Sequence, residues 1–313
     1  MEHHNSQKIA VLFGGNSNER SVSLKSGRNI ARSLKSIGIQ VDLIDTKRDF
    51  DMKKIASMKY KKIFIALHGR DGEDGTIQKQ LERANIAYTG NGVFSSSISM
   101  NKILSKKIWN SSNLPIAPFL YISKKFFFTE SETITSSLIK KIRFPMIIKP
   151  NSEGSSIGIN VVRSSKEIEK SMMKAFEYDH YVMIEKYLSG SEYTISILNP
   201  SHMLPSIKIH LHEDELYSHH KKYFDKDTRY LCPSGLSESK EHLMNKIALT
   251  AYRSIGCTGL ARVDIRQNQN GDFCLLEINT VPGMTNRSLV KISAEQGGMS
   301  FVELIKTVLA QDA

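Results

Sequence analysis

Ile9-Ala10-Val11-Leu12-Phe13-Gly14-Gly15 is a short apolar run that stops at two glycines. The fold class follows from what comes after it. A helical pattern puts Ile30, Ala31, Leu34 and Ile37 on one face, with Gly38 as its C-terminal stop. Val41 to Ile44 reads as a second strand. Ile63 to Leu67 reads as a third and runs into His68-Gly69-Arg70-Asp71-Gly72-Glu73-Asp74-Gly75. Strand, glycine turn, helix, strand is the pattern of an open parallel sheet, so the class is α/β. Ligands of such sheets sit beyond the carboxyl ends of the strands, where the Gly14-Gly15 turn and the His68 loop both lie.

Further along, the pattern changes to α+β. Phe144 to Lys149 and Ile159 to Val162 read as a hairpin around a long loop, Pro150-Asn151-Ser152-Glu153-Gly154-Ser155-Ser156-Ile157-Gly158. Ser164-Ser165-Lys166-Glu167 offers a capping box for a helix through Phe176. Strands are expected at Tyr181 to Glu185, Tyr193 to Leu198 and Ser206 to His210, and a helix from Glu241 to Ile255. The polar stretch from His212 to Leu236 is too long for an ordinary connection and reads as a functional loop that orders on a ligand.

The strongest chemical signal lies near the C-terminus. Leu260-Ala261-Arg262-Val263-Asp264-Ile265-Arg266 alternates polar and apolar residues, and so does Leu275-Leu276-Glu277-Ile278-Asn279. Asn270-Gly271 between them is a hairpin signal. With Asn270-Gly271 as a two-residue turn, Asp264 faces Glu277 and Arg262 faces Asn279. These four side chains then share one face, and Val263, Ile265, Leu276 and Ile278 face a core. Two carboxylates directly opposite one another repel and call for a cation. Two carboxylates and an amide oxygen are hard donors that suit magnesium, which takes the rest of its shell from phosphates and water. Asp264, Glu277 and Asn279 are therefore the expected metal ligands.

The Glu153 to Gly158 loop lets backbone N–H groups and hydroxyls approach anionic oxygens closely. It lacks the P-loop pattern. Lys149, on an otherwise apolar strand just before it, calls for a phosphate or a carboxylate partner.

Together with Gly14 to Leu24, Ile184-Glu185-Lys186-Tyr187-Leu188-Ser189-Gly190, Lys222-Tyr223-Phe224 and Leu276 to Thr285, these blocks resemble the D-alanine:D-alanine ligases over nearly the whole chain, in order and spacing. The resemblance implies an N-terminal open α/β domain (1–100) and two ATP-grasp halves (101–188 and 189–313) that clamp ATP. It implies a homodimer that uses D-alanine, ATP and magnesium or manganese. It assigns Lys102, Lys149 and Lys222 to the ATP phosphates, Glu185, Lys186 and Leu188 to the adenine, and Glu192 to the ribose. Glu19 and His68 position the first D-alanine. Glu19, Ser155 and Tyr223 form a hydrogen-bonded set, with the segment around Lys222-Tyr223 as a lid. Arg262 and the Gly283 N–H stabilise an oxyanion, and Ser288 and Leu289 hold the second D-alanine. Tyr223 favours the dipeptide, because relatives that make D-alanyl-D-lactate carry histidine there. The chain departs from the family pattern at Tyr217 to Lys221, Ser21 and Val281, which bears on lid behaviour and affinity more than on the reaction.

The 313 residues are enough for two domains or three small ones, and 40% hydrophobic with 24% charged residues is ordinary for a globular protein. The net charge of +11 comes from scattered pairs such as Lys53-Lys54 and Lys140-Lys141, without any nucleic-acid-binding pattern. Cys232, Cys257 and Cys274 form no CxxC pair and read as small buried apolar residues in a reducing compartment. Met1 to Gln7 is polar and no apolar run approaches a membrane span, so a soluble cytoplasmic protein is expected. The competing readings are another ATP-grasp carboxylate–amine or D-alanine:D-lactate ligase, a non-catalytic nucleotide binder, and a basic nucleic-acid binder.

Overall fold

A computed structural model describes residues 8–210 and 228–311. The N-terminal unit runs β1 (Ile9–Phe13), α1 (Arg20–Ser36), β2 (Val41–Asp45), α2 (Met52–Ser57), β3 (Lys62–Ile65) and α3 (Thr76–Arg83). Its sheet has the order β2-β1-β3 and is parallel throughout. Strand alternation sends Ile9, Val11 and Phe13 into one core and Ala10 and Leu12 into another. The expected face of α1 is buried at Ile30, Ala31 and Leu34. Ile37 differs: it is the residue that ends the helix, and it is 39% exposed. Gly38, at φ 81°, makes the left-handed turn out of the helix.

Two helices, α4 (Val93–Met100) and α5 (Lys102–Ser111), lead to the middle unit. That unit holds β4 (Phe119–Ser123), α6 (Lys124–Thr129), α7 (Ser131–Lys141), β5 (Met146–Pro150), β6 (Asn160–Val162), α8 (Ile168–Phe176) and β7 (Tyr181–Lys186). The sheet order is β4-β7-β5-β6, antiparallel, and β5–β6 is the expected hairpin. The capping box at Ser164 forms only in part. Glu167 turns back to the Arg163 N–H and the Ser164 hydroxyl, but Ser164 does not cap a helix N–H with its side chain. A single 3-10 turn, Ser165–Glu167, precedes α8 instead.

The third unit contains β8 (Glu192–Asn199), β9 (His202–Met203), β10 (Ile207–His210), β11 (Arg229–Leu231), α9 (Glu238–Ser254), β12 (Ala261–Gln267), β13 (Phe273–Asn279), α10 (Leu289–Gln296) and α11 (Phe301–Ala310). Its sheet runs β11-β10-β8-β12-β13, with β9 paired to β8. β11 corrects the reading of His212 to Leu236 as one loop, because Arg229–Leu231 pairs with β10. The last helix leaves this sheet, and Leu304, Ile305 and Val308 pack into the core beneath β1 and α1.

The β12–β13 hairpin keeps the expected pairs Arg262↔Asn279 and Asp264↔Glu277. Its turn differs. Gln267 pairs with Phe273, so the connection is a loop from Asn268 to Asp272. The Asn268 side-chain oxygen accepts the N–H groups of Asn270 and Asp272, each at 2.9 Å, and thereby closes this longer loop. The register is restored by a bulge between Asp264 and Ile265 that leaves Leu276 as the extra residue. The bulge breaks the expected alternation. Leu275, not Leu276, enters the core with Val263, Ile265 and Ile278, and Leu276 is left half-buried.

Candidate functional site

Two clefts adjoin across the polar face of β12 and β13. The larger, about 690 Å³, lies between the second and third sheets. Lys149 enters it from β5, Glu185 and Lys186 from β7, Glu192 from β8, Asp264 from β12 and Glu277 from β13. Lys102, the first residue of α5, and Leu188 complete the expected set. The second cleft, about 570 Å³, is lined by Glu19, His68, Ser155, Arg262 and Asn279, and by Gly283, Ser288 and Leu289. Each expected site residue among the described ones thus lines one of the two clefts. Lys222 and Tyr223 lie outside the described residues.

In the larger cleft, Lys149 finds the carboxylate partner its position called for. Its Nζ is 2.6 Å from Glu185 Oε2. The other Glu185 oxygen takes Lys106, a fully buried lysine of α5 that the sequence reading did not single out. The signal for Lys106 was present: it follows Lys102 by one helical turn and so shares its face. Burial alone would raise the Glu185 carboxyl, but the two lysines outweigh it and hold it below the ordinary carboxylate range. Lys186 turns its ammonium to the carbonyls of Phe144 and Arg143, 3.0 and 3.5 Å away. Glu192 pairs with Arg266 at 3.5 Å, and the Arg266 guanidinium lies over the Tyr187 ring. Arg266 and Tyr187 also line this cleft, and the sequence pattern assigned neither a site role.

Lys102 reaches both the phosphate loop and the carboxylate face. Its Nζ donates to the Glu153 carbonyl at 2.6 Å and is 3.4 Å from Glu277 Oε2. Asp264 accepts from both ends of the Arg262 fork, from Thr194 Oγ1 at 2.6 Å and from the Asn279 amide at 3.0 Å. Among the described residues, no three carboxylates, histidines or cysteines are grouped so that they alone could hold a metal ion. The facing carboxylates and the neighbouring amide fit a hard divalent cation that draws its remaining donors from phosphate and water.

In the second cleft, Ser155 Oγ donates to Glu19, joining the phosphate loop to the N-terminal unit. Gly154 permits the approach, because a Cβ there would lie 2.7 Å from Glu19 Oε2. Ser155 and Ser156 both hold left-handed backbone, at φ 49° and 60°. His68 is buried, with Nδ1 2.8 Å from the Val281 carbonyl and 3.6 Å from Glu73 Oε1, and Nε2 2.9 Å from Ser26 Oγ. Burial opposes the imidazolium, yet the Glu73 and Glu19 carboxylates prevail and raise its pKa above the usual histidine value. Glu73 was quoted in the His68 block without a role, and the fold brings it to His68. Ser288 precedes α10 without capping it through its side chain, whose Oγ instead accepts the Thr285 N–H at 2.7 Å, and Ser288 and Leu289 both line this cleft.

Comparison with known proteins agrees with this geometry. A family model described as the D-ala D-ala ligase C-terminus matches residues 108–310. The D-alanine–D-alanine ligase of Buchnera aphidicola subsp. Schizaphis graminum is 45% identical over 303 residues, covering 97% of this chain and 98% of that relative. The solved D-alanine–D-alanine ligase of Bacillus anthracis, complexed with ATP, superposes with a TM-score of 0.82 at 31% identity, covering 97% of this chain and 96% of that one. The VanG D-Ala:D-Ser ligase of Enterococcus faecalis superposes with a TM-score of 0.83 at 24% identity, over 97% and 98% of the two chains, and bears on the fold alone. Two antiparallel sheets around a cleft lined with lysines and carboxylates, behind a parallel N-terminal sheet, define the ATP-grasp class. Within that class, the chain belongs to the D-alanine–D-alanine ligase family.

Proposed function

We propose that the protein joins two D-alanines into D-alanyl-D-alanine, a peptidoglycan precursor, and converts ATP to ADP and phosphate as it does so. One observation carries this reading. A cleft lined with lysines and carboxylates and a second polar cleft meet over the β12–β13 hairpin, with Asp264 and Glu277 lining the first and Arg262 and Asn279 the second.

In this reading Lys102, Lys149 and Lys222 meet the ATP phosphates. Glu185, Lys186 and Leu188 border the adenine, partly through backbone groups, and Glu192 takes the ribose hydroxyls. Magnesium or manganese held by Asp264, Glu277 and Asn279 would supply charge neutralisation for phosphoryl transfer. Glu19 receives the ammonium of the first D-alanine and His68 orients the same molecule. Its carboxylate then attacks the terminal phosphorus, and an acyl phosphate forms as ADP leaves. Ser288 and Leu289, at the start of α10, hold the carboxylate of the second D-alanine. Its amine attacks the acyl carbon. Arg262 and the Gly283 N–H stabilise the tetrahedral oxyanion, which collapses with loss of phosphate. Acyl phosphates hydrolyse, so closure by the Lys222–Tyr223 segment would keep water out, and Tyr223 favours the dipeptide product.

The reading also takes 1–100, 101–188 and 189–313 as the three domains, and the working protein as a cytoplasmic homodimer. Among the described residues, no helix is long and apolar enough to cross a membrane.

The test is a ligation assay with D-alanine, ATP and Mg²⁺ that scores phosphate and D-alanyl-D-alanine together. Wild type should release both in equal amounts, and Glu277→Gln should release neither at a comparable rate. Phosphate release without dipeptide would overturn the reading.

A further inference from the structure

We infer that Lys106 is a positioning residue of the nucleotide cleft: it is the standing counter-ion of Glu185, and its presence lets Lys149 pass from Glu185 to a nucleotide phosphate. The inference rests on the reading that Lys149 meets phosphate.

Lys106 is 0% exposed, and it does not line the cleft. Its Nζ bridges a Glu185 carboxylate oxygen and the Leu275 carbonyl, the latter at 2.9 Å. A buried lysine of this kind is tolerable only with such partners. Glu185 and Lys149 do line the cleft, and Lys149 takes the other carboxylate oxygen. One carboxylate therefore serves two ammonium groups.

That stoichiometry has a consequence. Lys106 alone balances Glu185, so Lys149 brings surplus positive charge to the cleft wall. An incoming phosphate can take Lys149 while Glu185 keeps its partner on α5. Without Lys106, Lys149 would be the sole counter-ion of Glu185 among the described residues. A phosphate that captured it would strand a buried carboxylate, which is strongly unfavourable. Placement supports this division of labour. Lys149 sits on β5 and lines the same cleft as Ser156 of the loop that follows it in the chain. Lys106 is fixed behind Glu185 by the packing of α5 and by the Leu275 carbonyl.

The experiment is calorimetric titration of the full chain with ATP plus Mg²⁺, and separately with adenosine, which has no phosphate. Lys106→Met should weaken ATP by about tenfold or more and leave adenosine within about threefold. Equal loss for both ligands, or no loss for ATP, overturns the inference. Should Lys106→Met fail to fold, Glu185→Gln and the double variant Lys106→Met/Glu185→Gln decide the matter. With the carboxylate neutralised Lys106 is dispensable, so the two should bind ATP alike, and a further tenfold loss in the double variant overturns the inference. Lys149→Met tests the underlying reading separately: unchanged ATP affinity there would remove the phosphate role of Lys149, whatever Lys106 does.

Discussion

Arg262 holds Asp264 through both carboxylate oxygens, with Nε 2.9 Å from Oδ1 and Nη2 2.7 Å from Oδ2. The two residues are neighbours on one face of β12, so the fork closes within a single strand. It ties the proposed oxyanion donor to a proposed metal ligand. A cation held at Asp264 would compete with the Arg262 guanidinium for the same two oxygens. Asp264→Asn keeps the shape and removes the charge. It should lower kcat by about 10²- to 10³-fold and abolish the rise in melting temperature expected of wild type with Mg²⁺ and ADP. A variant with a preserved Mg²⁺-dependent melting shift would exclude Asp264 as a ligand.

The bulge at Leu276 puts a core residue and a cleft residue side by side in the chain. Leu275 is fully buried in the core against α9, whereas Leu276 lines the larger cleft. Leu275→Ala should cost about 2–5 kcal/mol of folding stability in chemical denaturation. Leu276→Ala should cost less, and should raise the KM for ATP. The reverse ranking would mean that the strand lacks the bulge.

His68 carries a pH signature. Its pKa is raised above the ordinary histidine value because the Glu73 and Glu19 carboxylates outweigh the effect of burial. A raised folded-state pKa stabilises the protein fully below the unfolded value, about 6.5. That contribution disappears as pH rises through the folded value. The melting temperature of wild type relative to His68→Gln should therefore fall as pH increases from about 6.5 upward. A difference independent of pH over that range would show that His68 is held neutral.

Lys62 offers a control distant from both clefts. It is 8% exposed, and its Nζ donates to the carbonyls of Leu309 and Gln311 at 3.1 and 2.6 Å. This fastens the end of α11 to β3, in keeping with the preference for cations at helix C-termini. Lys62→Met should lower stability by about 1–3 kcal/mol, measured by urea denaturation, with kcat and both KM values within about twofold of wild type. A large loss of activity without loss of stability would contradict this structural role.

Much of this was legible because it is local. Strand parity put Arg262 and Asp264 on the same face as Glu277 and Asn279, and the observed pairs are those expected. The partner of Lys149 was legible as a chemical need, but its identity was not. Glu185 lies on β7, and nothing in the spacing of the two residues says that β5 and β7 are neighbours. Lys106 was overlooked because a lysine on a helix is ordinarily solvated, and only packing shows it buried. Asn270-Gly271 misled because Asn268 closes a longer loop with its own side chain, and the bulge that compensates leaves no clear mark in an apolar Leu-Leu pair.

Backbone periodicity, turn chemistry and the residue types on each strand face are properties of short segments, so the chain order alone sufficed for the α/β class, the hairpins and the oxygen-donor face. The meeting of the two clefts, the sharing of Glu185 between two lysines, the approach of Glu73 to His68 and the return of the last helix to the first sheet join residues far apart in the chain. Such contacts arise from the burial of whole faces against one another, a balance over many side chains that no local pattern encodes.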